Sequence, residues 1–343
     1  GQLELSPDPE PDVATALARV DALMARVAAA LPGIALHAGG TNPWHTREEL
    51  GLQTDRPRYR TMQAHFEALG PAGTRMMRQT AALQVSLDLG GGPAAGERWR
   101  LLNLAGPALL AAFANSPRLE GRATDLASAR SWMWQGADRS RTGFEMAQVG
   151  PPGGEVAAYT DFALGAAVIP LPRANGETEA ASGADLRGWL ASGGARPDGD
   201  DLDHHLTTLF PPVRPRRHLE VRYLDALPRR WAEVAIAALA TLAYEPRARR
   251  AALEVAEAAP RGPAAWAEAA EHGVRRPGAA APALALLEIA RAGMDRLPAG
   301  YLGTTAPSRT DEYIERFTAA GRTPADDQLE RARTHPEEPL PWT

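Results

Sequence analysis

Two residue types are missing altogether. The 343-residue chain has no cysteine, and all 37 of its basic side chains are arginine, which leaves no lysine. Without cysteine there is no disulfide, no thiolate-bound zinc or iron–sulfur centre and no thiol nucleophile. Without lysine there is no phosphate-binding loop of the G-x-x-x-x-G-K-[ST] kind, no kinase β3 lysine and no Schiff base. Phosphate, carboxylate or nucleotide must therefore be held by arginine, backbone N–H groups or a metal. An excess of positive charge is also missing: 42 acidic residues give a net charge of −5, and the pI is near 6.0. That balance argues against a general binder of nucleic acid or of anionic membranes. No apolar run reaches the roughly 18 residues of a membrane span; the longest, 231–243, is interrupted by Glu233. No signal peptide is visible, so the cytoplasm is the expected compartment. Residue 1 is glycine and leads straight into alternating apolar and polar residues, so a further N-terminal piece is expected.

What is present reads as a globular chain, 44% hydrophobic and 23% charged, long enough for one large domain or two. Residues 1–6 alternate as a half-buried strand, and prolines 7, 9 and 11 end it. Helical spacing runs from Val13 to Leu31, with Gly33 where a cap belongs. Residues 34–38 predict a short strand, 59–69 a helix, 83–89 a strand, and 98–115 a helix broken near Pro107. The stretch 136–200 is rich in Gly and Pro, which predicts long loops and short strands. A short helix is expected at 201–209 and a strand at 217–223. Alanine-rich helices follow at 229–244, 247–259, 263–272, 281–296, 311–319 and 324–334. A sheet-plus-helix region over 1–230 and a helical region over 231–343, packed as parts of the same domain, is the expected organisation.

Three of these strands carry one polar face each. The first offers Gln2, Glu4 and Ser6, the second Gln84, Ser86 and Asp88, and the third His218, Glu220 and Arg222. Strand side chains alternate with period 2, so Glu220 and Arg222 share a face. One wet face is ordinary for an antiparallel sheet. Short oxygen acceptors beside a Glu/Arg pair, repeated over three strands, suit the floor of a cleft that binds cations and anions. Carboxylates and amide oxygens are donors for Mg²⁺ or Mn²⁺, and arginine gives bidentate recognition of carboxylate or phosphate. Arg78, Arg130, Arg139 and Arg141 fall near predicted turns, where each alone reads as a surface or structural residue. The run from Arg214 to Arg230 carries one interleaved aromatic, Tyr223, and lacks the series of them that a nucleic-acid site uses. His204 and His205 are adjacent, point to different sides and read as the polar start of a helix. No H-E-x-x-H, G-x-S-x-G or G-x-G-x-x-G motif occurs.

The chain resembles the glutamate–cysteine ligases of the group that includes the plant-type enzymes, and within it the actinobacterial ergothioneine-pathway branch. The residues that carry this are Gly1-Gln2-Leu3-Glu4-Leu5-Ser6, Arg58-Tyr59-Arg60-Thr61-Met62, the run from Met76 to Leu89, and Phe113-Ala114-Asn115-Ser116-Pro117. Arg130-Ser131-Trp132-Met133-Trp134 follows, then Asp138 to Gly143, and finally His205 to Pro211 and His218 to Arg222. Their order is the family's order.

The resemblance implies an α+β fold: a glutamine-synthetase-like antiparallel sheet forming a funnel, flanked by helices, with a helical C-terminal part. It implies ATP and Mg²⁺ (Mn²⁺ as a substitute), and formation of γ-glutamylcysteine through a γ-glutamyl phosphate. By position it implies Glu4, Glu220 and Gln84 at the metal, with Gln84 and Arg222 at the nucleotide phosphates. Glu220 and Arg222 would act in catalysis, and Arg130 would hold a substrate carboxylate, with Arg78 and Arg141 as further anion contacts. Ser86 departs from the asparagine common in relatives. The family's first strand, with further acidic ligands, would precede residue 1. Two other readings stay open: a glutamate–amine ligase with a different acceptor, and a non-catalytic glutamate- or nucleotide-binding protein.

Overall fold

The computed structural model describes residues 2–146, 149, 152–170, 184–194 and 196–342. Helices α1 (Val13–Ala30), α2 (Arg47–Leu50), α3 (Pro57–Leu69) and α4 (Pro71–Gln79) lead into strand β1 (Ala82–Asp88). Helices α5 (Pro93–Leu104) and α6 (Gly106–Ala112) precede a small hairpin of β2 (Arg118–Leu119) and β3 (Arg122–Ala123). Next come α7 (Ala129–Ala137), α8 (Arg139–Thr142), α9 (Glu155–Gly165), α10 (Leu186–Ala191) and α11 (Gly199–Thr207), then β4 (Val213–Pro215) and β5 (His218–Asp225). Helices α12 (Arg229–Tyr244), α13 (Pro246–Ala258), α14 (Gly262–His272), α15 (Pro277–Met294), α16 (Ala306–Tyr313) and α17 (Pro324–Thr334) complete a mixed α+β architecture.

The antiparallel sheet has the order β1–β5–β4, so β5 is its central strand. Ser86 lies opposite Glu220 and Asp88 opposite His218, which puts the polar residues of β1 and β5 on one face. Val85 and Leu87 on the other face enter the core beside Leu219 and Val221. Helix α12 covers this region and is apolar almost all round, as a helix enclosed by protein must be. Its one acidic residue, Glu233, is buried; it accepts hydrogen bonds from Arg229 (2.8 Å), Arg309 and the Thr305 hydroxyl (2.6 Å). The interruption seen in the apolar run is thus an ion-paired core residue.

The break expected near Pro107 is present: α5 ends at Leu104 and α6 starts at Gly106. Glycine is required there by close approach, because a Cβ on Gly106 would come within 2.4 Å of the Trp266 ring.

Three expectations fail. Residues 2–6 form no strand, and Gly1 lies outside the described residues. Alternation alone does not make a strand; a ladder partner is needed, and Gln2, Leu3 and Glu4 are exposed. Residues 34–38 also form no strand; there, the Ala38 amide donates a single bond to the Leu340 carbonyl. In the stretch 136–200 the described residues hold helices α8, α9 and α10, since their glycine- and proline-rich flanks obscured the helical period; residues 171–183 lie outside the described residues.

Candidate functional site

A cleft opens between α7, α8, residues 210–212, β5 and α14. Its lining includes Arg130, Trp134, Arg139, Glu145, Phe210, Arg222, Tyr223 and Trp266. Helix α7 supplies Arg130 and Trp134 from successive turns, i and i+4, so they lie on one face. The helix starts where it does because the Ser128 hydroxyl accepts from the Ser131 amide. Arg130 therefore sits in the first turn of a helix, rather than in the turn that the sequence suggested. Its guanidinium donates to the carbonyls of Tyr223 (3.2 Å) and Arg222 (2.6 Å) in β5, locking helix to strand.

Arg222 enters the same cleft from β5. Trp134 has the Arg130 guanidinium 5.2 Å from its ring and that of Arg222 at 5.4 Å, while Phe210 lies 5.9 Å from Arg222. Burial, with Arg214 nearby, pulls the Arg222 guanidinium down to about 10; burial does the same to Arg130, against the pull of Asp225. Both remain cationic at neutral pH. The Nε atoms of both are buried without a hydrogen-bond partner among the described residues. Guanidiniums with an unspent N–H beside aromatic rings have the chemistry to hold a carboxylate or phosphate.

Glu220 sits beside them. Its Oε1 meets Arg222 Nη1 at 2.5 Å, and its Oε2 accepts from Arg214 Nε at 2.7 Å. Burial raises its pKa, but Arg222 and Arg214 outweigh that and hold the carboxyl below its ordinary value. Gln84, on the open face of β1, accepts from Arg222 at 3.4 Å. So four sequence candidates, Arg130, Arg222, Glu220 and Gln84, come together.

The other three do not join them. Glu4 is exposed and accepts from the Ser6 hydroxyl at 3.1 Å. Arg78, in the last turn of α4 rather than a loop, donates to the Arg47 carbonyl at 3.1 Å. Arg141 is fully buried in α8 and is spent on Asp138 (3.1 Å), Thr208 (2.9 Å to Oγ1) and the Ala167 carbonyl, a tie between three segments. His204 and His205 lie in the last turn of α11, not at its start; His205 Nε2 contacts the Ala163 carbonyl at 2.8 Å, and burial lowers the pKa of both rings.

Sequence reading missed the node that supports the cleft from below. Asp225, at the end of β5, is fully buried and accepts from the Asn115 amide (2.8 Å) and the hydroxyls of Ser116 (2.7 Å) and Ser128 (3.0 Å). Asn115 in turn donates to the carbonyls of Ala38 and Ala226 and accepts from Gln328. The Phe113–Pro117 run is thus a brace, joining α6, α7, β5 and α17. Glu145, Phe210 and Trp266 in the lining were missed too, because nothing local marks residues brought in from separate elements.

A family model described as glutamate-cysteine ligase family 2 (GCS2) matches residues 1–337. The chain belongs to this family. It is 39% identical over 262 residues to a protein named glutamate–cysteine ligase EgtA from Mycolicibacterium smegmatis, covering 74% of this chain and 60% of that protein. It is 34% identical over 342 residues to the EgtA of Mycobacterium tuberculosis, covering 96% and 75%. To the chloroplastic glutamate–cysteine ligase of Arabidopsis thaliana it is 32% identical over 235 residues, covering 66% and 44%. The chain thus spans less than two thirds of the Mycolicibacterium and Arabidopsis proteins.

The glutamate–cysteine ligase family implies the use of ATP and a divalent cation. Among the described residues, no three His, Asp or Glu side chains converge to hold a metal ion. Both oxygens of Glu220 are taken by guanidiniums. The described residues do not on their own fit a Mg²⁺ or Mn²⁺ site. What they do form is a cleft lined by the buried guanidiniums of Arg130 and Arg222.

Proposed function

We propose that the chain acts as an ATP-dependent ligase that joins the γ-carboxylate of glutamate to the amine of cysteine, giving γ-glutamylcysteine for ergothioneine or a related small thiol. The observation that supports this best is the pair of buried guanidiniums of Arg130 and Arg222 in an aromatic cleft, each with an Nε–H not spent on the described residues, in a chain of this family. The finer fold reading, a sheet curved as a funnel in the manner of glutamine synthetase, is part of the same proposal.

In the proposed reaction a γ-carboxylate oxygen attacks the terminal phosphorus of ATP and ADP leaves. The cysteine amine then attacks the acyl carbon, expelling phosphate and losing a proton. No side chain need form a covalent bond, so the protein contributes position and charge. Arg222 would face the transferring phosphoryl group, and Gln84 and Glu220 fix its guanidinium. Arg130 would take a substrate carboxylate with its unspent N–H, while its bonds to β5 hold it rigid. The aromatic rings around both guanidiniums limit water, which strengthens each charge interaction.

The test is release of ADP and formation of γ-glutamylcysteine by a polypeptide that includes this chain, in Mg²⁺. Turnover should require glutamate and cysteine together. Arg222→Gln should lower kcat by about 10²-fold or more, the scale of removing one charge-stabilising donor, without changing the melting temperature by more than a few degrees. ATP turnover indifferent to cysteine would reject the acceptor; turnover with another amine would point to the broader glutamate–amine ligase.

A further inference from the structure

The described lining of the cleft holds three guanidiniums, from Arg130, Arg139 and Arg222, and one carboxylate, that of Glu145. We propose that Glu145 receives the α-ammonium group of glutamate and so selects an amino acid over a plain dicarboxylate. This rests on the ligase reading given above and adds a residue to it.

Charge counting leads to this assignment. Glu220 is met by two guanidiniums, so that corner keeps positive charge. With Arg139 released from Glu145, a ligand with two carboxylates and one ammonium group suits the two remaining guanidiniums, Arg130 and Arg222, and a single carboxylate. Glu145 is placed for the cationic end. Its side chain is 9% exposed, whereas that of its ion-pair partner Arg139 is 49% exposed, and one bond of 3.3 Å joins them. An exposed arginine loses little when it swings into water. A buried carboxylate left behind needs another cation. Burial raises the Glu145 pKa, and Arg139 offsets this only in part; an arriving ammonium group would supply the rest. Phe144 anchors the neighbouring backbone by stacking on Trp99 at 6.0 Å, so the residue before Glu145 is fixed in the core.

The experiment is calorimetric titration of L-glutamate and of glutarate, which lacks only the ammonium group, into the wild-type chain and Glu145→Gln. The wild type should prefer glutamate by about tenfold or more, the worth of a charge-assisted hydrogen bond. In Glu145→Gln that preference should fall to about twofold or less while glutarate binds as before, which also shows that the cleft is intact. A preference that survives the substitution overturns the proposal. Equal weakening of both ligands also overturns it, since Glu145 would then act only in shaping the cleft. If the wild type binds neither ligand, with or without ATP and Mg²⁺, the ligase reading itself falls, an outcome distinct from the other two.

Discussion

Arginine both ties segments together and lines the cleft in this protein, and its surroundings decide which. Arg141 has its donors spent on protein oxygens, whereas Arg130 and Arg222 keep N–H groups in reserve. Sequence position alone could not separate them, since all lay in matching runs. Glu233 shows the same dependence on surroundings. Replacing it with glutamine should cost about 2–3 kcal/mol in urea denaturation, below the 3–5 kcal/mol of fully enclosed pairs because Arg229 and Arg309 reach solvent. A loss under about 0.5 kcal/mol would mean that the pairing is idle. His37 gives a pH signature. Burial, then Arg118, lowers its pKa to about 4, and its Nδ1 accepts from the Leu340 amide at 2.9 Å. The folded state thus binds fewer protons than the unfolded state between about pH 6.5 and 4. The contribution of His37 is whole above that window and declines as pH falls through it, by about 3 kcal/mol at most. Melting temperature measured from pH 7 to 4 should fall less steeply in His37→Gln than in the wild type.

Elements were legible where the local pattern and tertiary need agreed. Strands β1 and β5 and helix α11 lie close to where alternation or spacing put them. On β5 the alternation gave the faces but not the burial, because a central strand covered on both sides hides Glu220 and Arg222 as well as Leu219 and Val221. The start of α7 was marked by Ser128, a cap residue that could have been read as such. Residues 2–6 show the opposite failure, a strand pattern with nothing to pair against. The α5–α6 break carries a prediction of its own. A Cβ on Gly106 would collide with Trp266, a wall of the cleft. Gly106→Ala should therefore destabilise the fold by about 1–3 kcal/mol, the usual cost of overpacking, and weaken glutamate binding by moving the indole. Normal stability with normal binding would show that Trp266 has room to yield.

For the whole molecule, the decisive feature is that one apolar cluster includes β1, β5, α5, α6, α12 and α15. The boundary near residue 230, visible as a change of composition, crosses this cluster instead of skirting it. We propose that residues 1–230 and 231–343 unfold together. Calorimetry should give one transition, with calorimetric and van't Hoff enthalpies in agreement; two resolved transitions would show separate domains. What the sequence could not show at this scale is which distant residues meet. Arg130, Glu145, Phe210, Arg222 and Trp266 converge only once α7, β5 and α14 have packed.

The arginines that line and brace the cleft have a further consequence, in how the chain can be cut. Trypsin cleaves after lysine or arginine, and here every such bond follows an arginine. Those after Arg130 and Arg222 lie inside α7 and β5, where the backbone is hydrogen-bonded and the side chain enclosed. The bonds most central to the site are therefore withheld from the protease until the sheet and its helices come apart. The order in which tryptic fragments appear is thus a clock for the opening of the cleft, read without any label.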